Sequence, residues 1–261
     1  MKPAPEYVPP HALLAGKSVL VTAAAGAGIG FAAALRCAEE GCRALVISDV
    51  HERRLAEAVE AIRSQTGLRE VHGQLCDVSK EDQVQALVEA AESRMGGTDV
   101  LINNAGLGTS KLVLEMSDDE WHKVIDVTLT GTFRMTRAMM RAMRPRGRGV
   151  IVNNASVLGW RAQAEQAHYA AAKAGVMAFT RCSALEAAAF GVRINAVAPS
   201  IAVHAFLKKS ASEELLGELT AKEAFGRGAE PWEVANVMMF LASDYSSYMT
   251  GEVLSVSSQH A

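Results

Sequence analysis

The sequence predicts an α/β fold: one domain on a doubly wound parallel sheet of about seven strands, with helices on both faces. Three observations predict it. From residue 18 onward short apolar runs alternate with longer stretches of helical periodicity, with no internal repeat or low-complexity tract. A length of 261 residues suits one large α/β domain with a single extended core. Glycines and polar residues gather just after the apolar runs, where sheets of this class hold their ligands.

The elements follow in order. The opening "MKPAPEYVPPHALLAGK" is Pro-rich and lacks the apolar run of a signal peptide, so residues 1–15 are expected to form an extended arm on a cytoplasmic protein, and 16–261 the domain. "SVLVTA" is the first strand and runs into a helix through "FAAALRCAEE". "ALVIS" precedes the helix "ERRLAEAVEAIRS", and "EVHGQLC" precedes "DQVQALVEAAESRM". "DVLINNA" is followed by one long helical stretch from about Asp118 to Met143, and "GVIVNNAS" by another from about His168 to Ala189. "VRINAVA" leads into an irregular region, a helix near Trp232 to Leu241, and a last strand "EVLSVS". The long interruption at 200–230 reads as a substrate lid.

Composition narrows the function. Hydrophobic residues at 49% and charged residues at 21% describe an ordinary globule, with no run able to span a bilayer. A net charge of −3 without a Lys/Arg block argues against a nucleic-acid partner and leaves small molecules. Cys37, Cys42, Cys76 and Cys182 form no CxxC pair and have no His at zinc-ligand spacing, so they read as buried thiols, with neither a metal site nor a disulfide framework.

"VTAAAGAGIG" joins the first strand to the first helix with Gly26, Gly28 and Gly30, the composition of a turn that brings backbone N–H groups and a helix N-terminus to a pyrophosphate. Asp49 ends the second strand 19 residues beyond Gly30, where an acid accepts hydrogen bonds from an adenosine ribose and repels a 2′-phosphate. That favours NAD over NADP. Asp49 also fits a plain helix-capping role, and Arg53 and Arg54 nearby keep NADP open. "CDVS" and "NNAG" place polar groups after the third and fourth strands, by composition either pocket linings or simple turns.

"YAAAK" puts Tyr169 and Lys173 on one helical face, about 6 Å apart along the axis. A neighbouring ammonium is expected to lower the phenol pKa toward neutrality, while alanines leave room for a cofactor ribose. An exposed Tyr and Lys on an Ala-rich helix is the plainer reading of those five residues alone. Ser156 ends the fifth strand thirteen residues earlier, and its hydroxyl is able to hold a substrate oxygen beside the phenol.

The glycine turn, "NNAG", Ser156, "YAAAK" and "RINAVAPS" together resemble the short-chain dehydrogenase/reductase family, and the resemblance runs from Gly16 to Val256. It implies a Rossmann fold and hydride transfer between a nicotinamide and a secondary alcohol or ketone, commonly in a homotetramer. It implies Tyr169 as proton shuttle, Lys173 on the nicotinamide ribose, and Ser156 on the carbonyl. The cofactor would lie across Gly26, Gly28, Ile29, Gly30, Asp49, Asp77, Val78, Asn104, Tyr169, Lys173, Pro199 and Ile201.

Several positions depart from the family pattern. The stretch from Thr22 to Gly30 is one residue longer than TGxxxGxG and has Ala for its first Gly. Thr128 stands where the family has an Asn that holds a relay water, so either its hydroxyl holds that water or the relay runs differently. Ser200 and His204 replace the Gly and Thr of PGxxxT, and His204 is either displaced into the substrate site or a loop-surface residue. The ending "VLSVSSQHA" lacks the Asp-Gly-Gly that usually follows the last strand.

Segments 153–188, 222–234 and 240–260 look similar to actinobacterial reductases acting on CoA thioesters in steroid C/D-ring breakdown. That similarity implies action on the ring hydroxyl of a methyl-hydrindanone carboxyl-CoA. Leu158, Trp160 and Phe206 fit an apolar slot for fused rings, and Arg161, Lys208 or Lys209 fit CoA phosphates; Trp160 equally suits the core and the Lys pair a solvated surface. Two competing readings are a 3-oxoacyl-thioester reductase using NADPH and a nucleotide-binding scaffold without turnover.

Overall fold

The computed structural model describes residues 3–204, 207 and 213–259. Among the described residues seven parallel strands form one sheet in the order β3-β2-β1-β4-β5-β6-β7. They are β1 (Ser18–Val21), β2 (Ala44–Asp49), β3 (Val71–Leu75), β4 (Val100–Asn103), β5 (Gly149–Asn154), β6 (Val192–Pro199) and β7 (Val253–Val256). The helices are α1 (Ile29–Glu39), α2 (Glu52–Thr66), α3 (Glu81–Met95), α4 (Asp118–Ile125), α5 (Gly131–Met143), α6 (Ala167–Ala188), α7 (Glu213–Ala221) and α8 (Pro231–Ala242). The predicted fold class is the one observed, with an extra helix inside the irregular 200–230 stretch.

The period-two pleat sorts the core into two layers. Val19, Val21, Leu45, Ile47 and Ile102 pack with α1, α2 and α8 on one face, while Leu20, Val46, Leu101 and Ile151 pack with α3 and α5 on the other. Leu45, Ile47, Leu101 and Ile151 have no solvent exposure, so truncating any one to Ala costs about 2–5 kcal/mol. Burial on both sides explains why these strands read as continuous apolar runs. The winding reverses between β1 and β4, which opens a crevice beyond their carboxyl ends.

Two features differ from the sequence expectations. The helix expected over Asp118–Met143 is broken by a π turn at Asp126–Thr130. It spans a single turn, too short to set a period of its own, so periodicity alone does not show it. Of the four cysteines, Cys37, Cys42 and Cys76 are buried but Cys182 is exposed on the outer face of α6. Burial pushes the Cys42 and Cys76 thiols up to about 12, far from the reactive range.

Residues 3–12 have no regular secondary structure and run along α1. The Arg36 guanidinium donates to Val8 O at 2.6 Å and Pro9 O at 3.1 Å, and the Glu40 carboxylate accepts the N–H groups of His11 and Leu13. Among the described residues no helix is long and apolar enough to cross a membrane.

Candidate active site

The crevice is built from strand ends. Thr22, directly after β1, accepts the N–H groups of Asn104 and Ala105 at 3.0 and 3.1 Å, and Asn104 donates to Ala23 O at 3.0 Å. A Cβ on Gly30 would fall 2.3 Å from Ala23 O and 2.4 Å from Asn104 Nδ2, so only glycine lets α1 approach this closely. Ala23 sits at φ +50°, the left-handed region where the family pattern has its first Gly. The N-terminus of α1 carries no side-chain cap and no acidic residue in its first turn, which leaves its N–H groups for an anion.

Asp49 closes the far side of this turn. Its carboxylate accepts the Ala25 N–H at 3.2 Å and the His51 N–H at 3.1 Å. Burial raises its pKa, with the Ala25 N–H and the Arg54 charge opposing. Arg53 is turned to solvent and pairs with Glu57 at 3.3 Å. Asp77 accepts the Ser79 N–H at 2.9 Å, and buried Val78 packs over Gly131, where a Cβ would meet it at 2.6 Å. These placements fit a dinucleotide: an uncapped helix end for its pyrophosphate and a carboxylate beyond the second strand for its ribose.

At the other end Ser156, Tyr169 and Lys173 come together. The Ser156 hydroxyl follows β5, accepts the Leu158 N–H at 3.2 Å, and lies on the same cleft wall as the Tyr169 phenol. Lys173 Nζ lies 5.5 Å from the centre of the Tyr169 ring and donates to Asn154 O at 2.5 Å. Burial pushes the phenol up to about 12, opposed by the Ser156 hydroxyl, and pulls the ammonium down to about 8. The phenol therefore shifts opposite to the direction expected from its neighbour: desolvation governs both groups.

Thr128 lies on the π turn and is fully buried. Its hydroxyl accepts the Leu107 N–H at 3.0 Å and faces Leu107 O at 3.3 Å, and its own carbonyl accepts the Thr132 hydroxyl at 2.8 Å. The hydroxyl is spent on the loop after β4 rather than aimed at Tyr169. That loop also covers the site, since a Cβ on Gly108 would sit 3.5 Å from the Tyr169 ring and one on Gly106 3.3 Å from Lys173 Nζ.

A cleft of about 310 Å³ opens beside Ser156 and Tyr169. Ile29, Pro199 and Ile201 line it from the cofactor side, and Leu158, Arg161, His204 and Leu207 from the other. Burial lowers the His204 pKa, and its ring lies 3.9 Å from where a Cβ on Gly28 would be. Trp160 is 51% exposed, so it stands outside the core, and it is not among the described residues that line the cleft. Phe206, Lys208 and Lys209 lie outside the described residues.

Asn154 is a further site residue, one that the motifs above do not single out. Its amide donates to Asn104 Oδ1 at 2.9 Å and its carbonyl holds Lys173, so it ties the cofactor turn to the Tyr/Lys helix. The signal was present: "NNAG" and "NNAS" repeat an Asn pair at the ends of two strands, and β4 and β5 are neighbours with Asn103 opposite Asn153. Gln166 and His168 bond Thr109 and Ser110 and latch the covering loop to the start of α6.

The model of the family described as enoyl-(acyl carrier protein) reductase matches residues 23–258. The chain is 62% identical over 259 residues to the (5R,7aS)-5-hydroxy-7a-methyl-1-oxo-2,3,5,6,7,7a-hexahydro-1H-indene-carboxyl-CoA reductase of Mycobacterium tuberculosis, covering 98% of both chains. A 3-oxoacyl-(acyl-carrier-protein) reductase of Chlamydia muridarum is 37% identical over 246 residues, 94% of this chain and 98% of that one. Among solved structures, a short chain dehydrogenase from Mycobacterium smegmatis superposes with a TM-score of 0.88 at 55% identity, covering 99% of each chain. Sequence, sheet order and strand-end geometry agree with these likenesses, and the chain belongs to the short-chain dehydrogenase/reductase family, oxidoreductases that act on CH–OH groups with a nicotinamide cofactor.

Proposed function

We propose that this protein interconverts a ring hydroxyl and a ketone on a bicyclic, steroid-derived CoA thioester, with NAD as its cofactor. The observation that carries the reaction is the convergence of Ser156 and Tyr169 on the wall of the cleft, with Lys173 Nζ 5.5 Å from the Tyr169 ring. The likeness to the M. tuberculosis reductase supports the substrate class. Asp49 supports NAD, because a 2′-phosphate would meet its carboxylate, and Arg53 is drawn away to Glu57.

Bound nicotinamide would accept or deliver the hydride; Gly26, Gly28, Ile29, Gly30, Asp49, Asp77, Val78, Asn104, Pro199 and Ile201 are the residues assigned to hold the dinucleotide. Ser156 Oγ donates a hydrogen bond to the substrate oxygen and fixes it beside the phenol. In reduction Tyr169 Oη gives its proton to that oxygen, and in oxidation it takes the proton back. With a pKa of about 8 the Lys173 ammonium is predominantly charged at pH 7, which favours the phenolate left after proton transfer. Thr128 keeps the covering loop in place through Leu107.

Leu158 and Arg161 serve as substrate contacts in this reading, His204 lies between the cofactor and substrate sides, and α7 with the turn that follows it forms the lid. The apolar groove between α5 and α6, where Phe133 meets Phe179 edge-on at 6.0 Å, supports assembly with further copies into a tetramer.

Rates of nicotinamide reduction with the hydroxylated hydrindanone carboxyl-CoA and with a straight-chain 3-hydroxyacyl-CoA, each offered with NAD and NADP, test the proposal. Faster turnover of the ring substrate with NAD, lost by at least about 10²-fold in Tyr169→Phe, is expected. A preference for the straight chain with NADP would instead place the protein with the 3-oxoacyl reductases, the reading favoured by the C. muridarum relative.

A further inference from the structure

Three segments far apart in sequence meet at one wall of the cleft. Glu223 is 4% exposed, and its carboxylate is taken up by the C-terminal tail: Oε2 accepts the Ser258 N–H at 3.1 Å and the Ser258 hydroxyl at 2.7 Å, and Oε1 accepts the Gln259 amide at 2.7 Å. The Ala224 N–H donates to Ser258 O at 3.1 Å and closes the clasp. Gln259 then faces Arg161. Its side-chain oxygen accepts Nη1 and its backbone carbonyl accepts Nη2 at 3.3 Å.

This arrangement has an electrostatic consequence. Arg161 is gripped by two neutral oxygens, and among the described residues no carboxylate lies within ion-pair distance of it, so its charge is oriented without being neutralised. Among the described residues, Arg161 and Lys222 are the Arg and Lys residues lining the cleft, and that lining contains no Asp or Glu. A concave site with cations and no carboxylate attracts anions even in a chain of net charge −3.

We propose that the C-terminal tail is part of the substrate site: Gln259, clamped by Glu223, is a positioning residue that aims Arg161 at the phosphates of a CoA thioester. This rests on the CoA-thioester reading of the substrate. It gives a purpose to the ending "SSQ", which replaces the family's Asp-Gly-Gly. A clasp serving only to hold the tail would not need Gln259 to present both its oxygens to a cleft-lining arginine.

The test compares one acyl group carried as its CoA thioester and as its N-acetylcysteamine thioester, which has no phosphates, in wild type, Gln259→Ala, Arg161→Ala and the double variant. Each single variant is expected to lower the preference for the CoA ester, as the ratio of kcat/KM values, by about tenfold, through KM rather than kcat. The double variant is expected to match Arg161→Ala, because Gln259 acts through that side chain. An unchanged preference in Gln259→Ala, or losses that multiply in the double variant, would overturn the proposal while leaving the substrate reading intact. A wild type that turns over no CoA thioester would sink the substrate reading and this inference with it.

Discussion

At the scale of single residues, Lys173 shows how catalysis and stability pull apart. The residue is 2% exposed, and its ammonium has one described hydrogen-bond partner, the Asn154 carbonyl. Burial lowers its pKa to about 8 from the ordinary lysine value. Between those two values the unfolded chain binds more protons than the folded one, so stability rises with pH across that window. The gain for wild type relative to Lys173→Met should be about 3 kcal/mol between pH 8 and pH 10.5. Urea unfolding of both proteins across that range measures it, and parallel curves would show that the lysine is solvated in the free enzyme. Sequence spacing placed Tyr169 and Lys173 together correctly, because one helical turn determines that juxtaposition. It said nothing of the desolvation that governs their titration, which depends on the covering loop of Gly106 and Gly108.

At the scale of elements, strand and helix order was legible because fully buried strands and amphipathic helices write different periods. The π turn between α4 and α5 was not, and it is what carries Thr128 to Leu107. Thr128→Val keeps the shape of the side chain and removes its hydroxyl, leaving the Leu107 N–H and carbonyl without their partner. A loss of about 1–3 kcal/mol in stability is expected, together with a fall in kcat as the loop over Tyr169 loosens. Thr128→Ser retains the hydroxyl and should recover most of both. Denaturant melts and initial rates distinguish this from a direct role in proton transfer, in which Thr128→Val would slow turnover without weakening the fold. The Asn103–Asn153 pair belongs to the same scale: their amides bridge β4 to β5 at 2.9 Å inside the core, a use of asparagine that turn propensity alone does not suggest.

At the scale of the whole molecule, long-range contacts decide what sequence reading leaves open. The Pro-rich arm was legible as an extended segment, but its anchor was not, since Arg36 and Glu40 look like ordinary surface positions of an amphipathic helix. In the fold Glu40 has no solvent exposure, pairs with Arg36 at 2.7 Å, and accepts the His11 and Leu13 N–H groups at 2.8 and 3.0 Å. Tyr7 stacks edge-on against Trp232 of α8 at 5.2 Å, so the arm links two helices on one face of the sheet. The clamp grips the C-terminal end of α1, about 16 Å along the helix from the cofactor turn by its rise per residue. Removing the arm re-exposes the Arg36–Glu40 pair to water, whereas Glu40→Gln leaves a buried guanidinium with only the longer Glu39 pair at 3.5 Å as counter-charge. The substitution should therefore cost more than the deletion: about 3–5 kcal/mol for Glu40→Gln, against about 1–2 kcal/mol for loss of residues 1–12. Neither should change the KM for the cofactor, because α1 keeps its N-terminal geometry as long as it is folded. Thermal melts paired with cofactor titrations check both statements. A deletion that destabilises more than Glu40→Gln would mean that arm packing, through contacts such as Tyr7 on Trp232, outweighs the buried ion pair in holding α1 and α8 together.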